Sequence, residues 1–330
     1  MSKGVKILAK DTEKTRRKLL QLGLLDTSKK IKKIGDYTII PVIEPPAGFT
    51  VVETSFERVE KIKGFKERLK EFLPEGKSIT SFDIIGDLAI LEIPDELEEY
   101  EEKIAESLLL AHKNIKAVYK KASKIEGTKR IRALKLLCGE PRTETIYKEH
   151  GILLKLDISK VYFSPRLSFE RERILKQVRD GEVIVDLFAG IGPFSILLAK
   201  YRDVKVYAID INPTAYQYLT KNIRINKVGH RVIPLLGDCR EVAPRNSADR
   251  VIMNLPKSSH EFLDLAFNVI RRGTIHFYSI SPEQDLYSSK IELIKEIGRN
   301  MGREIEIRET RIVRPYSPYH YHIAIDIEVK

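Results

Sequence analysis

The stretch VIVDLFAGIGPFS, Val183 to Ser195, decides the reading of this chain. An apolar, β-branched run ends in Asp186. Gly190 and Gly192 follow, and Pro193 opens a helical pattern, PFSILLAKY. Strands buried on both faces read as continuous apolar runs. Proline suits the first position of a helix, and glycines between strand and helix let the backbone approach a ligand. Open sheets bind ligands beyond the carboxyl ends of their strands. A GxG pair alone leaves a nicotinamide fingerprint open. The third glycine of GxGxxG is replaced by Ser195, however, and an acid stands four residues before the first glycine.

Working outward, the runs EVIVDLFA, VKVYAID, RVIPLLG, RVIMNLP and GTIHFYSI alternate with the helical patterns PFSILLAKY, PTAYQYLTKNIRIN and HEFLDLAFNVIRR. That alternation predicts crossover units and a mostly parallel sheet over residues 151–330. The last stretch, EIEIRETRIVRPYSPYHYHIAIDIEV, reads as two strands forming an antiparallel edge. The expected class is α/β, with a Rossmann-like domain preceded by smaller units.

Residues 1–44 read as strand, helix, turn and strand. Asp11 or Thr12 caps the helix, Leu19, Leu20 and Leu22 lie on its apolar face, and Gly23 ends it. Pro45, Pro46 and Gly48 mark residues 45–60 as a linker. Residues 61–150 read as an α+β domain. Two strands in ITSFDIIGDLAILEI join near Gly86, and PDELEEYEEKIAESLLLAHK forms a helix with an acidic first turn.

The chain of 330 residues carries 58 Lys and Arg against 47 Asp and Glu, a net charge of +11. This sign favours a polyanion as partner, although a thermophile's charged surface would also raise the charged fraction. From Lys113 to Lys135 there are nine Lys or Arg and one Glu, including Lys120, Lys121, Lys124 and Arg130. The stretch is either a solvated face or a phosphate-contacting patch. The two cysteines, Cys138 and Cys239, form no CxxC or Cys/His cluster, so neither a metal site nor a disulfide framework is expected. No apolar run approaches the length of a membrane span and the N-terminus shows no signal core, so a cytoplasmic protein is expected.

Three further strand ends carry polar residues: Asp210 in YAIDINP, Asp238 in LLGDCRE and Asn254 in IMNLPKSSHEF. The order DxxxGxG, then D, then GD, then NLP resembles the motif series of S-adenosylmethionine-dependent methyltransferases. Asp210 would accept hydrogen bonds from the ribose hydroxyls, and Asp238 would take the adenine amino group. Each acid could instead simply cap a helix. Asn-Leu-Pro resembles the turn that methyltransferases acting on planar nitrogens place against a base. An amide offers donor and acceptor to a base edge, and Pro256 fixes the turn. An Asx turn capping the next helix is the plainer reading.

Together with FSPRLSFERERI and IEGTKRIRALKLLCGE, the NLPKSSHEFLDLA segment resembles the archaeal and eukaryotic tRNA (guanine-37-N1)-methyltransferase family and its relatives in wyosine biosynthesis, over about residues 60–330. The resemblance implies a class I methyltransferase domain, a connecting domain and a small tRNA-contacting domain. It implies S-adenosylmethionine as cofactor and tRNA as partner. Sulfonium chemistry needs no metal, and a monomer is expected. Glu170 matches the general base and Arg130 the group that stabilises charge on guanine O6. Tyr162 and Arg166 match residues lining the cofactor and substrate site, and Asn254 and Pro256 match the base-holding turn. The expected cofactor contacts are Tyr162, Phe163, Asp186, Phe188, Gly190, Gly192, Asp210, Ile211, Asp238, Cys239 and Asn254. Guanine N1 carries a proton at neutral pH, so a carboxylate and a guanidinium suit its methylation. The plainer reading pairs Glu170 only with Arg166, Arg171 or Arg173, and Arg130 with a phosphate.

Other readings share parts of this pattern. An aminocarboxypropyl transferase of wybutosine synthesis would move a different carbon of the same sulfonium, though Arg166 in RLSFER fits the methylating branch better. Methylation of the tricyclic wyosine precursor is a further activity the family implies, and Ser258, Ser259 and His260 would serve either substrate. A nicotinamide oxidoreductase and a non-catalytic tRNA-binding protein are the readings of another class.

Overall fold

The computed structural model describes residues 1–59, 63–79, 81–122 and 133–330. The chain divides into two units, Met1–Gly64 and Phe65–Lys330. No helix among the described residues is long and apolar enough to cross a membrane.

The first unit holds β1 (Ser2–Leu8), α1 (Thr12–Gln21), β2 (Lys32–Ile34), β3 (Tyr37–Pro41) and β4 (Thr50–Thr54). Its antiparallel sheet runs β2-β3-β1-β4 around Val5, Leu19, Ile40 and Val42. Three details differ from the sequence reading. Of the three leucines assigned to the buried face of α1, only Leu19 is buried, while Leu20 and Leu22 are exposed. The helix starts without a side-chain cap. Part of the stretch read as a linker forms β4, where Val51 pairs with Val5. Pro45 and Pro46 punctuate the chain there but do not prevent a strand two residues beyond Gly48.

The second unit begins with α2 (Phe65–Leu69), β5 (Phe82–Ile85) and β6 (Leu88–Leu91). A 3-10 turn (Asp95–Tyr100), α3 (Glu101–Ala111), β7 (Ala117–Lys121) and β8 (Leu134–Gly139) follow. The sheet order is β5-β6-β7-β8; α3 supplies the crossover that lets β6 and β7 run parallel. Next comes a hairpin of β9 (Glu144–Glu149) and β10 (Ile152–Asp157). The border expected between residues 150 and 151 falls inside its turn. Ile152, Leu154 and Leu156 of β10 share one core with Ile85, Leu88, Ala117 and Tyr119 of the four-stranded sheet.

The remaining elements are α4 (Ser168–Gln177), β11 (Val183–Asp186), α5 (Pro193–Tyr201), β12 (Lys205–Asp210), α6 (Pro213–Asn226), β13 (Val232–Leu236), α7 (Cys239–Val242), β14 (Ala248–Met253), α8 (Leu263–Val269), β15 (Ile270–Pro282), α9 (Ser288–Asn300), β16 (Ile305–Ser317) and β17 (His320–Val329). They build a seven-stranded sheet, order β13-β12-β11-β14-β15-β17-β16. β13 to β15 pair in parallel, and β17 inserts antiparallel between β15 and β16. The helical pattern read through Arg272 ends earlier, at Val269. Ile270 turns extended and joins β15 opposite Ala248, because the β-branched Ile270 gains burial in the sheet. Asn222 and Asn226 of α6 bond the backbone of Lys155 and Leu153, fastening the hairpin to the parallel sheet.

Candidate active site

The carboxyl ends of β11, β12 and β14, with the turn after β13, converge on a cavity of about 380 Å³. Gly190 (φ 57°) and Gly192 (φ 89°) take left-handed backbone in the loop after β11, where a side chain would be strained. A Cβ at Gly192 would also lie 2.5 Å from Leu219. The Asp210 carboxylate accepts the Gly190 N–H at 2.7 Å and the Asn212 N–H at 2.8 Å. It thus ties the glycine loop to the end of β12 and sits at the cavity wall. Asn212 in turn caps α6 through the Thr214 N–H.

Most of the expected cofactor residues line this cavity: Tyr162, Phe163, Phe188, Gly190, Asp210, Ile211, Asp238, Cys239 and Asn254. Two do not. Asp186 is fully buried behind the loop, where it accepts the Ser195 hydroxyl at 2.8 Å. Burial pushes its carboxyl up to about 7, and the neighbouring Asp210 charge adds to the rise. Gly192 does not line the cavity; its left-handed backbone starts α5. The plainer, capping reading holds for Asp238 in part, since its Oδ1 accepts the Arg240 N–H and starts α7. Burial pushes the Cys239 thiol up to about 12, so it stays protonated. Phe188 meets Phe262 edge to face, 5.1 Å between centroids, giving the wall an aromatic corner.

A second cavity, of about 450 Å³, shares Tyr162, Phe163, Ser164, Leu167, Asn254 and Lys257 with the first. The two meet at Asn254. Pro256, Arg166, Lys121, Arg314 and His322 also line the second. Ser259 fixes the turn between them. Its buried hydroxyl donates to the Met253 carbonyl at 2.7 Å and accepts the Leu255 N–H at 3.2 Å. The Ile280 N–H reaches the Pro256 carbonyl at 3.2 Å. The Asn254 side chain makes no hydrogen bond with any described residue, so both ends of its amide can serve a ligand. Ser259 therefore belongs to the frame of the turn rather than to a substrate contact.

Arg166 is held by Asp83 at 2.6 Å and by the Ser81 hydroxyl at 2.7 Å. Lys121 pairs with Glu92. Lys120 lines neither cavity; Glu98 and Glu101 hold its ammonium. Lys124 and Arg130 lie outside the described residues.

Glu170 also lines neither cavity. It is 2% exposed. Its Oε2 accepts Arg173 Nε–H and Tyr278 Oη–H, each at 3.0 Å. Its Oε1 stands 3.1 Å from Arg311 Nε, yet neither atom has a hydrogen bond. The pairing with Arg173 is thus real but buried, not a surface contact. Arg173 is held in turn by Asp326, which also takes His276 Nδ1 at 2.7 Å. Burial opposes ionisation of Asp326, but His276 and Arg173 outweigh it and hold the carboxyl well below the usual range. Arg171 makes a separate buried pair with Glu149, at 2.5 and 2.7 Å, and lies over Phe163.

Residues not singled out in the sequence include His322, Arg314 and Tyr278. The alternation of HYHIAIDIEV, with His322, Ala324 and Asp326 on one face, was the available signal for the first.

The fold and the paired cavities define a Rossmann-like α/β protein with its site beyond the carboxyl ends of the strands, a first cavity beside a polar second one. Comparison with known proteins specifies the group. The TRM5/TYW2 methyltransferase domain matches residues 145–307, the TYW2 N-terminal domain residues 65–143, and the tRNA methyltransferase 5 N-terminal domain residues 4–50. The tRNA (guanine(37)-N(1))-methyltransferase Trm5b of Pyrococcus abyssi is 49% identical, over 100% of this chain and 99% of its own. A solved complex of aTrm5 and tRNALeu superposes with a TM-score of 0.74 at 39% identity, covering 99% of both chains. Methanocaldococcus jannaschii TYW2 in complex with AdoMet superposes with a TM-score of 0.60 at 35% identity, over 76% of this chain and 99% of that one. The chain belongs to the TRM5/TYW2 methyltransferase family.

Proposed function

We propose that this protein is a tRNA methyltransferase that moves a methyl group from S-adenosylmethionine to N1 of guanine 37, beside the anticodon. The observation that carries this reading is the meeting of two cavities at the Asn254–Pro256 turn. One is lined by a glycine loop and a carboxylate, the other by cations and an open amide. The residues fit the cofactor. A Cβ built at Gly190 meets only the Tyr162 carbonyl, at 3.9 Å, so the loop backbone faces the cavity. Asp210, Asp238 and Ile211 would hold the nucleoside, and Tyr162, Phe163 and Phe188 its apolar surroundings. When bound, S-adenosylmethionine supplies a methyl group activated by a sulfonium.

The chain's own residues do the rest. Asn254 and the Pro256 turn hold the base edge. Glu170, buried beside Arg311, would take the N1 proton at Oε1, the carboxylate oxygen that accepts no hydrogen bond. Arg130 would balance charge on O6. Arg166 and Lys121 face the second cavity and meet the RNA backbone, as would Lys124 in the same basic stretch. Lys120 contributes through Glu101 instead of by direct contact. Residues 1–44 would touch a part of the tRNA away from the reacting base. One chain supplies both cavities, so a monomer suffices.

The match of residues 4–50 to the tRNA methyltransferase 5 N-terminal domain and the 49% identity to Trm5b favour methyl over aminocarboxypropyl transfer. The test uses tRNA and S-adenosylmethionine labelled separately on the methyl and on the aminocarboxypropyl chain. Label from the methyl alone should enter the tRNA. Entry of the other label would assign the chain to the aminocarboxypropyl branch.

A further inference from the structure

The turn that ends β14 places two polar side chains where the cavities meet, Asn254 and Lys257. The Ser258 N–H donates to the Leu255 carbonyl at 2.8 Å, so Leu255 to Ser258 form a β-turn with Pro256 and Lys257 at its centre. Proline presets the backbone of the first central position. The Ser259 N–H reaches the same carbonyl at 2.8 Å, and the Ile280 N–H holds the Pro256 carbonyl at 3.2 Å. The backbone around Lys257 is therefore fixed, while the residue itself is exposed.

Among the described residues, Lys257 is the one charged group that lines both cavities. The other cations of the site are committed or set apart. Arg171 is paired with Glu149, Arg166 with Asp83 and Lys121 with Glu92. Arg314 makes no ion pair with a described residue, but it lines only the second cavity. The Lys257 ammonium has neither an ion pair nor a hydrogen bond with any described residue. A sulfonium in the first cavity would repel it. Two anions of a bound complex could attract it: the carboxylate of the cofactor's amino-acid tail and the ionised edge of guanine. Pro256, its neighbour in the turn, lines only the second cavity, and Asn254 offers its amide to the base three residues before it. That placement favours the guanine edge.

We propose that Lys257 is a catalytic residue whose ammonium stabilises the negative charge that spreads from N1 to O6 as guanine 37 ionises. This rests on the function proposed above. The N1–H proton goes to Glu170, and the electron pair it leaves behind is shared between N1 and O6. Lys257 donates an N–H to O6 and holds that charge. N1 then forms its bond to the methyl carbon, the carbon–sulfur pair passes to sulfur, and the base returns to neutral. The contact is therefore stronger in the transition state than with the neutral base before or after it, which is what raises a rate. Arg130 would share the same charge. The ammonium is a compact point charge on a flexible stem, so it can follow the base edge while the turn backbone stays fixed.

The test compares Lys257→Met, Lys257→Arg and Lys257→Ala with the wild-type protein in single-turnover methyl transfer to a tRNA bearing guanine 37. Lys257→Met should lose on the order of 10²-fold in rate, the low end for a donor to a developing oxyanion, because Lys257 is open to water. Lys257→Arg should retain more of the rate than Lys257→Met, and added ethylamine should restore part of the Lys257→Ala rate, which a merely structural role would not allow. Calorimetry should find S-adenosylmethionine bound by Lys257→Met as tightly as by the wild type or more tightly, because a repelling charge is gone. A tRNA with 6-thioguanine at position 37 offers a poorer acceptor at that edge, so the gap between wild type and Lys257→Met should narrow with it. Lys257→Met at the wild-type rate, or an equal gap with 6-thioguanine, overturns the proposal. So does weaker S-adenosylmethionine binding with a normal rate at saturating cofactor, which would assign the ammonium to the cofactor's carboxylate. If Lys257→Met does not fold, the response of Lys257→Ala to ethylamine decides. A wild-type protein that transfers no methyl to guanine 37 refutes the proposed function, and this role with it.

Discussion

Glu170 Oε1 and Arg311 Nε are buried 3.1 Å apart, and neither has a hydrogen bond. The ion pair is close but misaligned, while the other carboxylate oxygen is fixed by Arg173 and Tyr278. Glu170→Gln keeps the shape and removes the charge. Single-turnover methyl transfer should fall by about 10²–10⁴, and S-adenosylmethionine affinity should hardly change. The defect should shrink as pH rises, because solvent then helps ionise N1. The variant also leaves Arg173 and Arg311 short of a counter-charge, so its melting temperature should drop. Wild-type rates across pH 6–8 would remove Glu170 from the proton path.

Asp210→Ala should weaken S-adenosylmethionine binding by roughly 1.5–3 kcal/mol, the scale of a hydrogen bond to a charged group. Part of that loss would come through the Gly190 N–H that Asp210 holds. Isothermal calorimetry on the folded variant measures it, and unchanged affinity would exclude Asp210 from the site.

Asp186 makes stability depend on pH. Its carboxyl is raised from 3.8 to about 7 in the folded chain. Between those values the folded state keeps a proton that the unfolded chain has lost. Stability contributed at this site is therefore full below about 4 and falls as pH rises to about 7, by an amount on the order of a few kcal/mol. Asp186→Asn should flatten that part of the profile. Denaturant unfolding at pH 5 and pH 8 tests this; a wild-type slope in the variant would contradict it.

Lys121 and Lys120 are adjacent but should behave differently. Lys121 faces the second cavity, so Lys121→Ala should weaken tRNA binding and reduce its salt slope by about 1. Lys120 is committed to Glu98 and the buried Glu101. Lys120→Ala should lower thermal stability and leave the salt slope nearly unchanged. Filter binding across a salt series separates the two.

The parallel sheet and the first cavity were legible because their signals are local. Asp186, Gly190, Gly192 and Pro193 stand within eight residues, and each later strand end carries its polar residue directly after an apolar run. The base-holding turn was legible for the same reason. The second cavity was not, because its residues come from separate stretches of the chain: Asp83, Lys121, Arg166, Asn254, Arg314 and His322. The depth of Glu170 could not be read from SFERERI either. It depends on Tyr278 and Arg311, more than a hundred residues away, and on β17 inserting between β15 and β16. Likewise β4 was hidden by its short TVVET pattern behind two prolines, and the end of α8 by an apolar run that suits helix and strand alike.

The most direct measurement is nucleoside mass spectrometry of a tRNA transcript after incubation with the protein and S-adenosylmethionine. With guanine at position 37, 1-methylguanosine should appear, mapped to that position by digestion. With position 37 changed to adenine, it should not. A methyl group found elsewhere in the tRNA, or on another atom of guanine 37, would contradict the account of the Asn254–Pro256 turn as the seat of that base.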